Sequence, residues 1–404
     1  MATSTRLFSG SLNTNEFYDS LYNAYRLAMT YANNLSGLDS TLADRYRADG
    51  GMYADQVVYT DLDVAYSQEW DPTDTNVLEP EYKVAPQQEK ITVNQMRQIG
   101  LYTDEYLSKR AWMDASSYDG FRSVVQKQVI ETKRVYEQKL VDTYAGSLYQ
   151  TNVELPLPTD TNAEAQNRLR ATAIAKEIGN LMVDLKDSTR NYNTYGFMKS
   201  FDESDFDIIW NADYFNEIRY TDLPTIFHTE NLIKNGHVLP SHYFGVERGS
   251  SETIATAGGF MAADEYFIPV GEDGKYAAPD TATKAVHVFP GDILPEGTLI
   301  LQHNSFNTPI AYVKKSVTIS GMGKNPITAT VKLAKHARCF KVQPKIICKV
   351  VHKDAIKYLS SFETQTEFWN PKNLSTNRYL TWAFAFPDNL RGYPCISITE
   401  KTQA

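Results

Sequence analysis

The chain has 404 residues, 42% of them hydrophobic, long enough for two or three domains and apolar enough to bury a core. Asp and Glu outnumber Lys and Arg by 49 to 40, a formal charge of −9. No run of five or more like charges occurs, which argues against a dedicated nucleic-acid reader, since such proteins concentrate cations on one face.

The three cysteines, Cys339, Cys348 and Cys395, form neither a C-x-x-C pair nor a Cys/His zinc spacing and are expected as reduced, small hydrophobes. Residues 1–10 are polar and lack a signal-peptide pattern, and no apolar run reaches the roughly 18–20 residues that span a bilayer. The expectation is a chain that folds in cytoplasm, so the N-x-S matches at Asn34 and Asn373 carry no meaning. Tyr is abundant, with 26 copies against 5 Trp and 18 Phe. Its apolar ring and polar tip suit interfaces that are partly wet, although a Tyr-rich core fits the composition equally well.

In chain order, residues 15–42 place Phe17, Leu21, Tyr25, Ala28, Tyr31 and Leu35 at helical spacing. Residues 57–90 change character: Val57-Val58-Tyr59-Thr60 and Val64-Ala65-Tyr66 are strand-like, while Pro72, Pro80 and Pro86 break a stretch rich in acids and poor in large aliphatics. This predicts a long projecting hairpin or loop, functional or held by something else such as a neighbouring chain. Residues 117–148 predict one long helix, with Phe121, Val125, Val129, Tyr136, Leu140, Tyr144 and Leu148 on its apolar side. Arg122, Lys127, Glu131, Lys133, Glu137 and Lys139 fall on its other faces, Ser116 with Asp119 offers an N-cap, and Gly146 lies near the far end.

A second helix is predicted over 163–185, with Leu169, Ala173, Ile174, Ile178, Leu181 and Leu185 apolar. Residues 205–218 read as a buried strand running into a short helix capped by Asn211 or Asp213. From 246 to 349 the chain turns β-rich, with strands near 286–289, 299–302, 311–313, 317–319, 328–333 and 346–351, and turns at Glu272-Asp273-Gly274 and Pro290-Gly291. Aromatic strands follow at 362–368, 379–386 and 395–398.

The search for chemistry ends without a site, and no catalytic, cofactor or metal residue is assigned. Gly321-Met322-Gly323-Lys324-Asn325 resembles part of a phosphate loop, but Thr318 stands where the first Gly belongs and Asn325 where Ser or Thr belongs, so a tight turn explains it better. His237 and His242 have no acidic residue at a spacing that would complete a zinc site. Asp202, Glu203, Asp205 and Asp207 lack the alternating ligands and central Gly of a calcium loop and read as a polar turn. A nucleophile elbow is absent as well.

The order of elements resembles the tailed-phage capsid fold, the HK-ninety-seven fold. The stretches that carry the resemblance are Tyr59-Thr60-Asp61, Gln98-Ile99-Gly100-Leu101-Tyr102, residues 121–144, residues 205–218, and the stretch from Val351-His352-Lys353-Asp354 to Trp369-Asn370-Pro371. Within that family the chain is most similar to capsid proteins of the small phi-twenty-nine-like podophages of Gram-positive hosts.

The resemblance implies an α+β subunit divided into an N-terminal arm (1–49), an E-loop hairpin (50–95), a peripheral domain with its spine helix (96–157) and an axial domain (158–245). A β-rich inserted subdomain (246–345) and return strands (346–404) complete it. It further implies a non-enzymatic major capsid protein that self-assembles as pentamers and hexamers into an icosahedral shell around double-stranded DNA. Scaffolding, portal and head-fibre or decoration proteins would be its partners, contact with DNA would be weak and non-specific, and there would be no membrane. The implied location is the virion, after assembly in the host cytoplasm.

Two features depart from the family pattern. The block at 246–349 has no counterpart there, and the chain stops soon after its last strand without the immunoglobulin-like domain some relatives carry. The alternatives are another virion part such as a portal, collar or tail component, and a hydrolase using Asp202, Asp205 or Asp207. Portals show more helix than this β-rich second half.

Overall fold

The computed structural model describes residues 41–50, 56–65, 67, 69, 73, 85–104, 115–148, 150–219, 236–247, 259–300, 310–320, 326–343 and 345–401. Residues 15–40 of the helix expected at 15–42, most of the hairpin tip and the glycine turn at 321–325 lie outside these residues, as do the side chains of Phe121 and Val125.

The long helix spans Ala115–Ser147, 33 residues, a rod of roughly 50 Å at ~1.5 Å per residue. It begins at Ala115, which puts Ser116 inside the first turn and not at the cap. Val129, Tyr136, Leu140, Val141, Tyr144 and Ala145 are buried and pack with Tyr358, Leu380, Trp382, Phe384 and Phe340. Tyr136 meets Trp382 and Phe384 edge-on, with centroids 6.1 and 5.8 Å apart, a preferred aromatic geometry. Gly146 does not stop the helix. It admits the backbone of Tyr243, whose carbonyl oxygen would lie 2.2 Å from any Cβ there.

The sheet under this helix runs, in spatial order, Arg47–Asp49, Ile356–Asn370, Ser375–Phe384 and Gln95–Asp104, with Asp388–Asn389 beside Ile356 and Lys357. The first pair is parallel and the next two are antiparallel. A second mixed sheet orders Thr151–Leu155, Cys395–Glu400, Ile346–His352, Phe206–Asn211 and Gly236–Leu239. Its strands Phe206–Asn211 and Ile346–His352 are buried at every position, as central strands covered on both faces must be.

The helix Ala163–Lys186 covers this second sheet through Ala171, Ile174, Ile178, Leu181 and Leu185. Leu169, expected on that side, is exposed. The strand Phe206–Asn211 runs straight into the helix Ala212–Arg219. Asn211 is the cap: its Oδ1 accepts the Asp213 N–H at 3.2 Å while its Nδ2 donates to the Ile346 carbonyl at 2.9 Å.

The β-rich block contains a closed barrel of Tyr266–Val270, Lys284–Val288, Tyr312–Ser320 and Ile327–Ala334. A three-stranded sheet of Gly245–Glu247, Cys339–Val342 and Phe260–Ala262 brackets the barrel strands in sequence. The two short strands expected at 311–313 and 317–319 are one, because Lys314 to Ser316 continue the pairing with Thr330 to Lys332. Near residue 300 the described residues show only a single bridge to Ala337. Both expected turns are present, with Gly274 at φ 76° and Gly291 at φ 80°, a region that favours glycine.

Candidate assembly surface

Two buried polar clusters set the position of the long helix. Glu137, expected on a face other than the apolar one, is buried. Its carboxylate accepts Arg47 Nη2 at 2.6 Å and the Tyr358 hydroxyl at 2.9 Å, with Lys133 Nζ at 3.6 Å. Lys133 also reaches Glu363 at 2.5 Å. A buried carboxylate is costly without partners, so this residue ties the helix to the strands that carry Arg47, Tyr358 and Glu363. Burial opposes the Arg47 charge, and Glu137 more than restores it.

The second cluster centres on Arg97. Burial works against its charge, but Asp264, Tyr136 and Glu265 outweigh that and raise its pKa. Its guanidinium contacts Asp264 at 2.5 Å and Glu265 at 2.9 Å and lies 4.3 Å from the Tyr136 ring centroid. Tyr136 donates to Asp264 at 2.7 Å, and Glu265 meets His287 Nε2 at 2.7 Å. Lys139 on the helix adds Asp292 at 2.8 Å. These contacts fasten the β-rich block to both the helix and the strand Gln95–Asp104.

The hairpin strands Gln56–Asp61 and Gln87–Thr92 pair over six residues, and their base is anchored more firmly than its composition suggests. Ile91 and Val93 pack with Leu359, Ala383, Ala385 and Leu390, joined by Val57 and Tyr59. Asp61 pairs with Lys199. Asp63 accepts Arg190 at 2.6 Å and the Met198 N–H at 2.9 Å, which hold its carboxyl below the usual carboxylate range. Glu89 accepts from the Tyr195 hydroxyl and the Arg391 N–H.

The residues weighed for chemistry do not converge. Asp202 caps a single 3₁₀ turn at Glu203–Asp205. Asp207 departs from the expected polar turn: it is buried in its strand and held by a bidentate contact from Arg45. Burial pushes the pKa of both His237 and His242 down, and the described residues contain no group of three or more His, Cys, Asp or Glu able to hold a metal ion. All three cysteines are buried and none forms a disulfide. No helix among the described residues is long and apolar enough to cross a membrane.

The surface instead offers apolar side chains on a sheet with an open edge. On one face of the sheet beneath the long helix, Met96, Tyr102 and Phe368 are 60–68% exposed, and Phe362 is 40% exposed. Trp369 and Leu374 are exposed at the far end of the same strands, where Leu374 sits at φ 50°, the one positive φ among the described residues other than glycine. Among the described strands, Gln95–Asp104 pairs on one side only. Among the described residues, then, exposed apolar side chains lie on a sheet whose edge strand pairs on one side, a combination that suits contact with a partner. The Phe368-Trp369 pair at the end of an alternating strand was its signal in the sequence.

No protein-family model matches the chain, and no curated protein matches it in sequence. Solved structures do. A chain in the capsid structure of Staphylococcus phage Andhra superposes with a TM-score of 0.53 at 11% identity, covering 88% of this chain and 83% of that one. A chain in the structure of the head fibre and inner core protein gp22 of native bacteriophage P68 gives 0.51 at 12% identity, covering 91% and 85%. At these identities the likeness speaks for fold, and the fold of this chain is that of a phage capsid structure.

Proposed function

We propose that the chain is the major capsid protein of a tailed phage, a structural subunit that self-assembles as pentamers and hexamers into an icosahedral shell around double-stranded DNA. The superposition on the Andhra capsid structure over 88% of the chain carries this reading. In it, residues 1–49 are the N-terminal arm, 50–95 the E-loop, 96–157 the peripheral domain with the long helix as its spine, and 158–245 the axial domain. Residues 246–345 are the insertion and 346–404 the return strands. The subgroup is that of the phi-twenty-nine-like podophages. Partners are scaffolding, portal and head-fibre or decoration proteins, and the location is the virion, reached after assembly in host cytoplasm.

The clusters at Glu137 and Arg97 support the reading physically, because they tie helix, sheet and insertion into one wedge whose exposed aromatic edge remains for neighbours. Shell formation multiplies a small gain per residue over a large contact area. Sedimentation of the purified chain at rising concentration, alone and co-expressed with the other head proteins of its phage, tests this. Assemblies of shell size are expected, and a compact monomer throughout would refute it.

A further inference from the structure

The charge of the chain is divided in an unusual way. Residues 48–82, which include most of the hairpin, hold nine Asp or Glu and no Lys or Arg. Residues 297–353 hold ten Lys or Arg and no Asp or Glu. The second stretch contains the barrel strands Tyr312–Ser320 and Ile327–Ala334, whose register sets Lys314 directly opposite Lys332. Both lysines are exposed, as is Lys335, and among the described residues none of the three forms an ion pair.

Like charges facing each other across a strand pair destabilise it unless something neutralises them. On the same face follow the pairs Ser316–Thr330 and Thr318–Thr328, hydroxyls able to accept and donate hydrogen bonds. The nearby His336 has its pKa lowered by burial and then by Lys335 and Arg338, an effect of the same positive field. Among the described residues this ribbon is a cationic surface without a counter-charge.

We propose that the ribbon of Lys314, Lys332 and Lys335 docks the acidic hairpin segment, residues 62–82, of a second copy of this chain. The inference rests on the shell reading and names the surface that the hairpin meets. Equal stoichiometry favours this occupant: every subunit carries one cation-free segment and one acid-free ribbon. The subunit's own hairpin is tied elsewhere at its base, through Asp61 to Lys199 and Asp63 to Arg190. Duplex DNA is the weaker candidate, since three lysines on one hairpin fall short of the cationic stripe that a phosphate backbone selects.

Two experiments on the full chain decide it. In the first, K314E/K332E/K335E and, separately, E69K/D71K/D74K should each cut the yield of particles at least roughly tenfold, because like charges then face one another. Both should leave thermal unfolding of the free subunit unchanged, and combining the two triple substitutions should restore particles. Normal yield from either triple variant, or no rescue by the combination, overturns the inference and leaves the shell reading standing. Failure of the unsubstituted chain to assemble at all removes the shell reading itself.

In the second, a zero-length carbodiimide joins lysines to carboxylates already in contact, in an equal mixture of heavy-isotope and ordinary subunits. Mixed-isotope amides between residues 62–82 and Lys314, Lys332 or Lys335 are expected. Cross-links that bypass the ribbon, or a ribbon protected by added duplex DNA and not by a neighbouring copy, overturn it.

Discussion

Single side chains show where this subunit places charge inside an apolar frame. Lys349 lies in a fully buried strand and donates to the Leu148 carbonyl at 2.8 Å, just past the end of the long helix. Burial pushes its pKa down to about 7. Between pH 7 and its ordinary value of 10.5 the unfolded chain therefore binds more protons at this site than the folded one, so its contribution makes stability rise with pH there. Asp142 does the reverse. Burial, partly offset by Gln138, raises its carboxyl to about 7, so from about pH 4 to 7 its contribution to stability falls as pH rises.

Lys349→Met, which keeps the volume, should flatten the rise above pH 7, as read by denaturant unfolding of the free subunit at several pH values. An unchanged slope would show that the ammonium is not desolvated. Arg45→Ala leaves the buried Asp207 carboxylate without its main partner and should cost about 3–5 kcal/mol. Unfolding free energy measures this, and a loss under 1 kcal/mol would mean that water reaches the site.

At the level of elements, the long helix was legible because its apolar positions repeat at four-residue spacing, and it forms within two residues of the expected bounds. The burial of Glu137 and Lys133 was not legible. Their partners Arg47, Tyr358 and Glu363 come from segments 90 and more residues away, and only folding brings them to the helix. The strand Tyr266–Val270 was not among the predicted ones; it contains Pro269, which has no N–H for a ladder, yet that residue pairs with Ala285 in the barrel.

The same logic separates two deletions. Replacing residues 66–84 with a short Gly/Ser linker keeps the anchored base, including Asp63 and Ile91, and should leave a soluble, folded subunit that forms no shells. Extending the cut to Asp63 removes its contacts with Arg190 and Met198 and should also lower thermal stability. On the helix, Leu140→Asp puts a carboxylate at a position with no exposure and should cost several kcal/mol, comparable to the whole stability of a domain. Undiminished soluble yield from that variant would mean that the face is wrongly assigned.

For the whole molecule, the sequence made the capsid-like order of elements readable, while the mode of attachment of the β-rich block depended on Arg97, Asp264, Glu265 and Asp292 meeting in space. With a net charge of −9, the free subunit should bind duplex DNA weakly at physiological salt, where even dedicated basic proteins bind non-specifically near 10⁻⁴–10⁻⁶ M in order of magnitude. Titration of labelled duplex at two salt concentrations checks this, and sub-micromolar, sequence-selective binding would point to a regulator or packaging protein.

If the proposed function holds, the product of this chain is a closed assembly. Electron microscopy of the full chain, expressed alone and together with the proteins encoded beside it and purified by size, is the decisive test. Closed icosahedral particles whose wall is built from this chain in pentamers and hexamers are expected. A compact monomer in every field, at every concentration and with every partner supplied, would contradict it.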